Sequence, residues 1–154
     1  MGSLKMIRKA RITDVQQIQE LINSFARQDL MLPRSLNELY ENLRDFWVCA
    51  ENKQIIGCCA LHVSWQDLAE IKSVAIKKNK QRLGLGSQLI NSCIEEAKEL
   101  GIKKIFMLTY KPDFFKKFGF RRIKHLSLPH KIWADCINCP KFPNCKEIAM
   151  VKTL

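Results

Sequence analysis

The stretch Gln81-Arg82-Leu83-Gly84-Leu85-Gly86 constrains this chain more than any other. It follows a run of strand formers, Leu68 to Ile76. It precedes apolar residues at helical spacing: Leu85, Leu89, Ile90, Cys93, Ile94, Ala97 and Leu100. A strand, a glycine turn and a helix follow one another. Gly84 and Gly86 let the backbone approach a ligand closely and present successive N–H groups. A helix opening near Ser87 adds free donors and the positive end of its dipole, which suits an anion. Arg82 and the run Lys77, Lys78, Lys80 add positive charge. The turn lacks the Gly-Lys-Ser/Thr ending of a nucleotide loop, and no Mg²⁺ ligand is in view, which argues against ATP. It also lacks the third glycine of a dinucleotide fingerprint. A diphosphate of another kind fits best; a plain tight turn uses the same residues.

Met6 to Arg11 predicts a first strand. Thr13 to Gln16 fits a capping box with Thr13 as N-cap. Val15, Ile18, Leu21, Ile22 and Phe25 then predict an amphipathic helix over Asp14 to Arg27. Ser35 and Glu38 make a second capping box, ahead of Leu36, Leu39, Tyr40 and Leu43. Phe46 to Glu51 and Gln54 to Ser64 flank the turn signal Asn52-Lys53 and predict a hairpin. Gly101 closes the long helix. Ile102 to Thr109 predicts a strand, and Pro112 to Phe118 a short helix ended by Gly119. Phe120 to His125 and Glu147 to Leu154 are the last strands, separated by the irregular, Pro- and Cys-rich residues 127–146. Residues 1–5 are set aside as a tag or extension, and 1–154 are taken as one domain. The order β-α-α-β-β-β-α-β-α-β-β predicts an α/β (α+β) fold: a mixed sheet with helices on both faces.

The 154 residues are 47% hydrophobic, enough for a core. No apolar run is long enough to span a bilayer. The start lacks the apolar stretch of a secretory signal, which gives a cytoplasmic expectation and no membrane partner. Cys49, Cys58, Cys59 and Cys93 sit in apolar segments and read as small buried hydrophobes. The net charge of +11 favours anionic partners. Lys and Arg are scattered rather than gathered in one block, so no nucleic-acid partner is expected.

The pattern Gln-x-x-Gly-x-Gly, between Ser73-Val74-Ala75-Ile76 and a helix, resembles the acyl-CoA loop of the GNAT N-acetyltransferases. The element order matches that fold along the chain. Leu32-Pro33-Arg34-Ser35-Leu36, residues 67–73, residues 108–115 and Leu128-Pro129-His130-Lys131-Ile132-Trp133 are similar to the short, kinase-free N-acetylglutamate synthases of bacterial arginine biosynthesis. Cys136-Ile137-Asn138-Cys139-Pro140 is similar too.

The resemblance implies a GNAT-like, mostly antiparallel sheet and an acetyl-CoA-dependent enzyme that needs no metal for its chemistry. It implies direct acetyl transfer to the α-amine of L-glutamate in a ternary complex, and a homodimer. Acetyl-CoA would be held by Val74, Ala75, Ile76, Gln81, Arg82, Leu83, Gly84, Leu85, Gly86, Ser87 and Phe115. Glu70 is the candidate general base, direct or through water, since the amine must lose a proton before attack. N–H groups near Val74 would stabilise the oxyanion. The tyrosine that often serves as acid is replaced by Phe115. Tyr110 could substitute, or the fairly acidic thiol could leave unassisted. Arg34, Lys72 and Ser73 are candidates for the glutamate carboxylates, Arg34 because a guanidinium fork next to a helix start suits one.

Other readings stay open. The acceptor could be another amine, a different amino acid or a protein N-terminus. The chain could be a basic nucleic-acid-binding module or a non-catalytic CoA sensor. His130, Cys136, Cys139 and Cys145 could close a zinc site, or their segment could pack as a lid.

Overall fold

The computed structural model describes residues 4–129 and 146–154. They form two compact units, one from residues up to 61 with 71–96, the other from 62–70 and from 97 onward. The strands are β1 (Lys5–Lys9), β2 (Phe46–Glu51), β3 (Gln54–Trp65), β4 (Leu68–Ile76), β5 (Lys104–Thr109), β6 (Arg121–Ile123) and β7 (Ile148–Thr153). They hydrogen-bond in the order β1-β2-β3-β4-β5-β7-β6. β4 and β5 are parallel; β1–β2, β2–β3, β5–β7 and β6–β7 are antiparallel. The expected mixed, mostly antiparallel sheet is therefore present. The helices are α1 (Val15–Ala26), α2 (Leu36–Glu41), α3 (Leu85–Leu100) and α4 (Pro112–Lys116).

In the first unit, strand alternation sends Val48 and Cys49 to opposite faces. Val48 shares a core cluster with Val15, Ile18, Leu21 and Ile22 of α1 and with Leu39 of α2. Cys49 shares another with Leu85 of α3. Helices thus cover both faces of this part of the sheet. The apolar stripe of α1 is buried at the spacing that predicted it, and truncating Ile18 or Ile22 to Ala should cost about 2–5 kcal/mol.

A β-bulge adjusts the packing on the α3 side. Cys49 pairs with Gly57 and Ala50 with Ile55, which leaves Ile56 as the extra residue. At Gly57 a Cβ would stand 2.7 Å from Ile76 Cδ1 and 3.2 Å from Leu89 Cδ1. A side chain there would push β4 and α3 away from β3. Asn52 and Lys53 both take positive φ, 49° and 65°, the geometry of a tight hairpin turn.

Several local expectations change. Thr13 does not cap α1. A 3-10 turn over Ile12–Asp14 precedes the helix, and Asp14 Oδ2 accepts from Arg11 N–H at 2.7 Å. Asp14 also takes a two-pronged bond from Arg8, at 2.7 and 3.2 Å. Arg8 was too far upstream for a local rule to include it. Ser35 caps α2 as expected, accepting from Glu38 N–H at 3.1 Å. Leu36 and Tyr40 are exposed, because α2 buries only Leu39. Leu100, expected on the buried face of α3, is 58% exposed. Lys5, set aside above, opens β1 opposite Glu51.

In the second unit, Gly101 ends α3 at φ 83°. Ile102 N–H reaches Ala97 O at 2.9 Å and Gly101 N–H reaches Lys98 O at 3.1 Å, the paired bonds of a Schellman stop. The strand after it begins at Lys104 rather than Ile102, because Lys103 and Lys104 N–H both bond to Asp67 O first. β6 is shorter than expected, three residues, and His125 falls in a following 3-10 turn.

Candidate active site

The turn after β4 is held by bonds at its entry. Lys77 N–H donates to Ile56 O at 2.9 Å, tying it to β3. The Gln81 carboxamide donates to Ile76 O at 3.0 Å, folding the turn back on the end of β4. Arg82 and Gly84 both lie at positive φ, 67° and 81°. At Arg82 that conformation costs about 1–3 kcal/mol and persists only where the surroundings impose it. The first bond entering the α3 ladder is Gln88 N–H to Gly84 O, 3.1 Å. The N–H groups of Leu85, Gly86 and Ser87 come before it, at the positive end of a 16-residue helix with no acid in its first turn. Such a turn can take the negative oxygens of a diphosphate.

Lys80 is engaged inside the protein. Its Nζ lies 2.7 Å from Glu51 Oε1, a carboxylate at the end of β2 that is only 7% exposed. In sequence Lys80 is one of a run of loop cations and Glu51 carries no motif; the fold pairs them.

Val74, Ala75 and Ile76 form the end of β4; Ala75 is buried and the other two are half-buried. Ser73 interrupts the extended run with φ 57°. Its carbonyl accepts from Cys58 Sγ at 3.3 Å. Burial pushes the Cys58 thiol up to about 12, so the S–H proton stays in place. No sequence signal announced this irregularity. Lys72 is half-buried on the same strand. Arg34 precedes α2 as expected. Its N–H donates to Asn23 Oδ1 at 3.1 Å, its carbonyl accepts from Gln19 at 3.2 Å, and its guanidinium lies 3.3 Å from Glu38 Oε2.

In the second unit, the parallel ladder of β4 with β5 covers Leu68, Ala69 and Glu70 and ends there. Glu70 is half-buried. Tyr110, just past β5, is 38% exposed. Phe115 is buried in α4, edge-on to Phe114 at 4.9 Å and to Phe120 at 6.1 Å. His130, Cys136, Cys139 and Cys145 lie outside the described residues. Among the described residues no helix is long and apolar enough to cross a membrane.

The profile of the acetyltransferase (GNAT) family matches residues 12–120. An uncharacterized N-acetyltransferase of Chlorobaculum tepidum is 40% identical over 148 residues, 96% of each chain. An amino-acid acetyltransferase of Mycobacterium tuberculosis is 34% identical over 122 residues, 77% of this chain and 70% of that protein. Among solved structures, the N-acetylglutamate synthase of Neisseria gonorrhoeae complexed with coenzyme A and N-acetyl-glutamate matches with a TM-score of 0.89 and 25% identity. That match covers all of this chain (100%) and 36% of the Neisseria protein.

Proposed function

The chain belongs to the acetyltransferase (GNAT) family, and on that premise we propose that it acetylates the α-amine of L-glutamate, with a place in arginine biosynthesis. It is an acetyl-CoA-dependent N-acetyltransferase of the amino-acid acetyltransferase kind. The observation that carries the donor half is the turn opening α3: amides ahead of the helix ladder, two positive-φ residues and no first-turn acid. The acceptor half rests on the likeness to an enzyme solved with N-acetyl-glutamate and on Arg34.

The turn would hold the pyrophosphate of acetyl-CoA on the amides of Leu85, Gly86 and Ser87, with Arg82 adding charge. The pantetheine arm would run along Val74 to Ile76. Glu70 would take a proton from the ammonium of the acceptor, directly or through a water. The amine then attacks the thioester carbonyl, and N–H groups near Val74 would stabilise the oxyanion. Collapse breaks the C–S bond and expels the thiolate of CoA, and the nitrogen gives up its second proton, to water or to the departing sulfur, to leave the amide. Phe115 has no proton to give and is packed among aromatic rings. Tyr110 is then the candidate acid, unless the thiolate leaves unassisted. Direct transfer agrees with the cysteines among the described residues: Cys49, Cys58, Cys59 and Cys93 are all fully buried. Burial raises the Cys49 and Cys58 thiols above their ordinary range, and the bond to Cys93, with burial, raises Cys59. An inert thiol is a poor acyl carrier.

Glutamate carries two carboxylates. Arg34 meets Glu38 at 3.3 Å, longer than a tight charged bond, so a substrate carboxylate can replace it at little cost. Lys72 and Ser73 would take the second carboxylate. The test is thiol release from acetyl-CoA with a panel of amino acids and an N-terminal peptide. Glutamate-dependent release well above the other amines is expected. Folded protein that releases thiol only with another amine would move the acceptor and keep the enzyme class.

A further inference from the structure

A buried carboxylate of the first unit takes no part in the chemistry proposed above. Glu51 closes β2, is 7% exposed, and has Lys80 Nζ at 2.7 Å and Lys5 Nζ at 3.7 Å. Lys80 is the last residue of the 3-10 segment Lys78–Lys80, directly before Gln81. A buried carboxylate is costly to keep charged without close partners. Here the partner comes from the loop. The pair therefore ties the loop to the sheet at a third point, beside Lys77 N–H on Ile56 O and Gln81 on Ile76 O. Arg82, two residues beyond Lys80, holds positive φ, a conformation that a non-glycine residue keeps where its surroundings impose it.

We propose that Glu51 is a positioning residue for the acetyl-CoA diphosphate, acting through Lys80 to hold the turn that opens α3. This rests on the reading of that turn as the donor site. Charge and position make opposite predictions. If only the field mattered, removing a carboxylate near a phosphate site would make the site more positive and tighten acetyl-CoA binding. Likewise, a released Lys80 would be free to bind phosphate. A tether predicts weaker binding on removal.

The experiment measures steady-state kinetics and thermal unfolding of Glu51→Gln, Lys80→Met and the double variant, with Gly84→Val as a control for the turn. Glu51→Gln should raise the acetyl-CoA KM by about five- to tenfold, with kcat at saturation changed less than about twofold. Lys80→Met should do the same, and the double variant should be no worse than either single one, because both remove one link. If Glu51→Gln does not fold, Glu51→Asp carries the test: it keeps the charge and shortens the reach to Lys80, so a raised acetyl-CoA KM is expected and an unchanged one would overturn the proposal. An unchanged or lowered KM in Glu51→Gln, or additive losses in the double variant, would overturn the proposal. If KM rises in Gly84→Val but not in Glu51→Gln, only the tether is lost. If neither moves it, the donor site itself has been misplaced, and the tether goes with it.

Discussion

Two strand-to-helix connections in this molecule obey the same grammar and end differently. In the first unit β4 passes into α3; in the second β5 passes into α4. The first has two positive-φ residues, a 16-residue helix and no acid in the opening turn. The second has Pro112 at the first turn, Asp113 beside it, and a helix of five residues. Proline removes an N–H, and a carboxylate occupies the positive end of the dipole. Lys111 N–H, the next donor, is already used by Thr109 Oγ1 at 2.9 Å. At α4 one donor is missing at Pro112 and another is engaged at Lys111, whereas the α3 turn has neither a proline nor an acid at its opening.

In the proposed reading the turn before α3 holds the donor and Glu70 takes the proton, and variants can break each part of that reading. The largest effect is expected for Glu70→Gln. It should lower kcat by about 100-fold or more and leave the acetyl-CoA KM within about threefold. A variant with full activity across pH would falsify the role of Glu70. Arg34→Ala should come next, raising the glutamate KM by about 10- to 100-fold while the acetyl-CoA KM holds, since bonds to charged groups contribute about 1.5–3 kcal/mol. Equal effects on both substrates would mean that Arg34 serves the fold.

Ser87→Asp carries the comparison further by giving α3 the acid that α4 has in Asp113. The acetyl-CoA KM should rise about tenfold while the protein becomes slightly more stable, by about 0.3–1 kcal/mol, because a carboxylate suits a helix start. Weaker binding with a higher melting temperature is a signature that simple damage cannot imitate. If the KM does not change, no anion sits on those amides.

The smallest effect concerns stability alone. Burial pushes the Asp14 carboxyl up, but the Arg8 hydrogen bonds, the Arg11 amide and both arginine charges outweigh it and leave it below its ordinary value. A lowered folded-state pKa stabilises at pH above the unfolded value, near about 4, and that contribution fades as pH falls through the folded one. Acid unfolding of Asp14→Asn should therefore lose steepness below about pH 4. An unaltered profile would mean the pair contributes little.

Much of this was legible before any coordinates. The stripe Val15, Ile18, Leu21, Ile22 gave α1, and Asn52-Lys53 gave the hairpin, because helix and strand periods and turn preferences are local. The departures share one cause. Thr13 does not cap α1 because a 3-10 turn precedes the helix, in which the Asp14 carboxylate is held by Arg8 and the Arg11 N–H, and that convergence is not a local property. Leu100 sits on the right spacing but beyond the end of what α3 covers.

The same division runs through the site. The sequence by itself determined that a glycine turn would open a long helix after a strand, since Gly84, Gly86 and the apolar spacing are read within a few residues. It also put Phe115, which has no proton to give, where the resemblance would lead one to look for a tyrosine. Only the tertiary structure decided that Ser73 would leave the extended region and that the β4–β5 ladder would stop at Glu70. It alone paired Lys80 with Glu51, so that a charge apparently loose in the loop is spent inside the protein. Those features depend on which distant residues meet, and chain order does not record that.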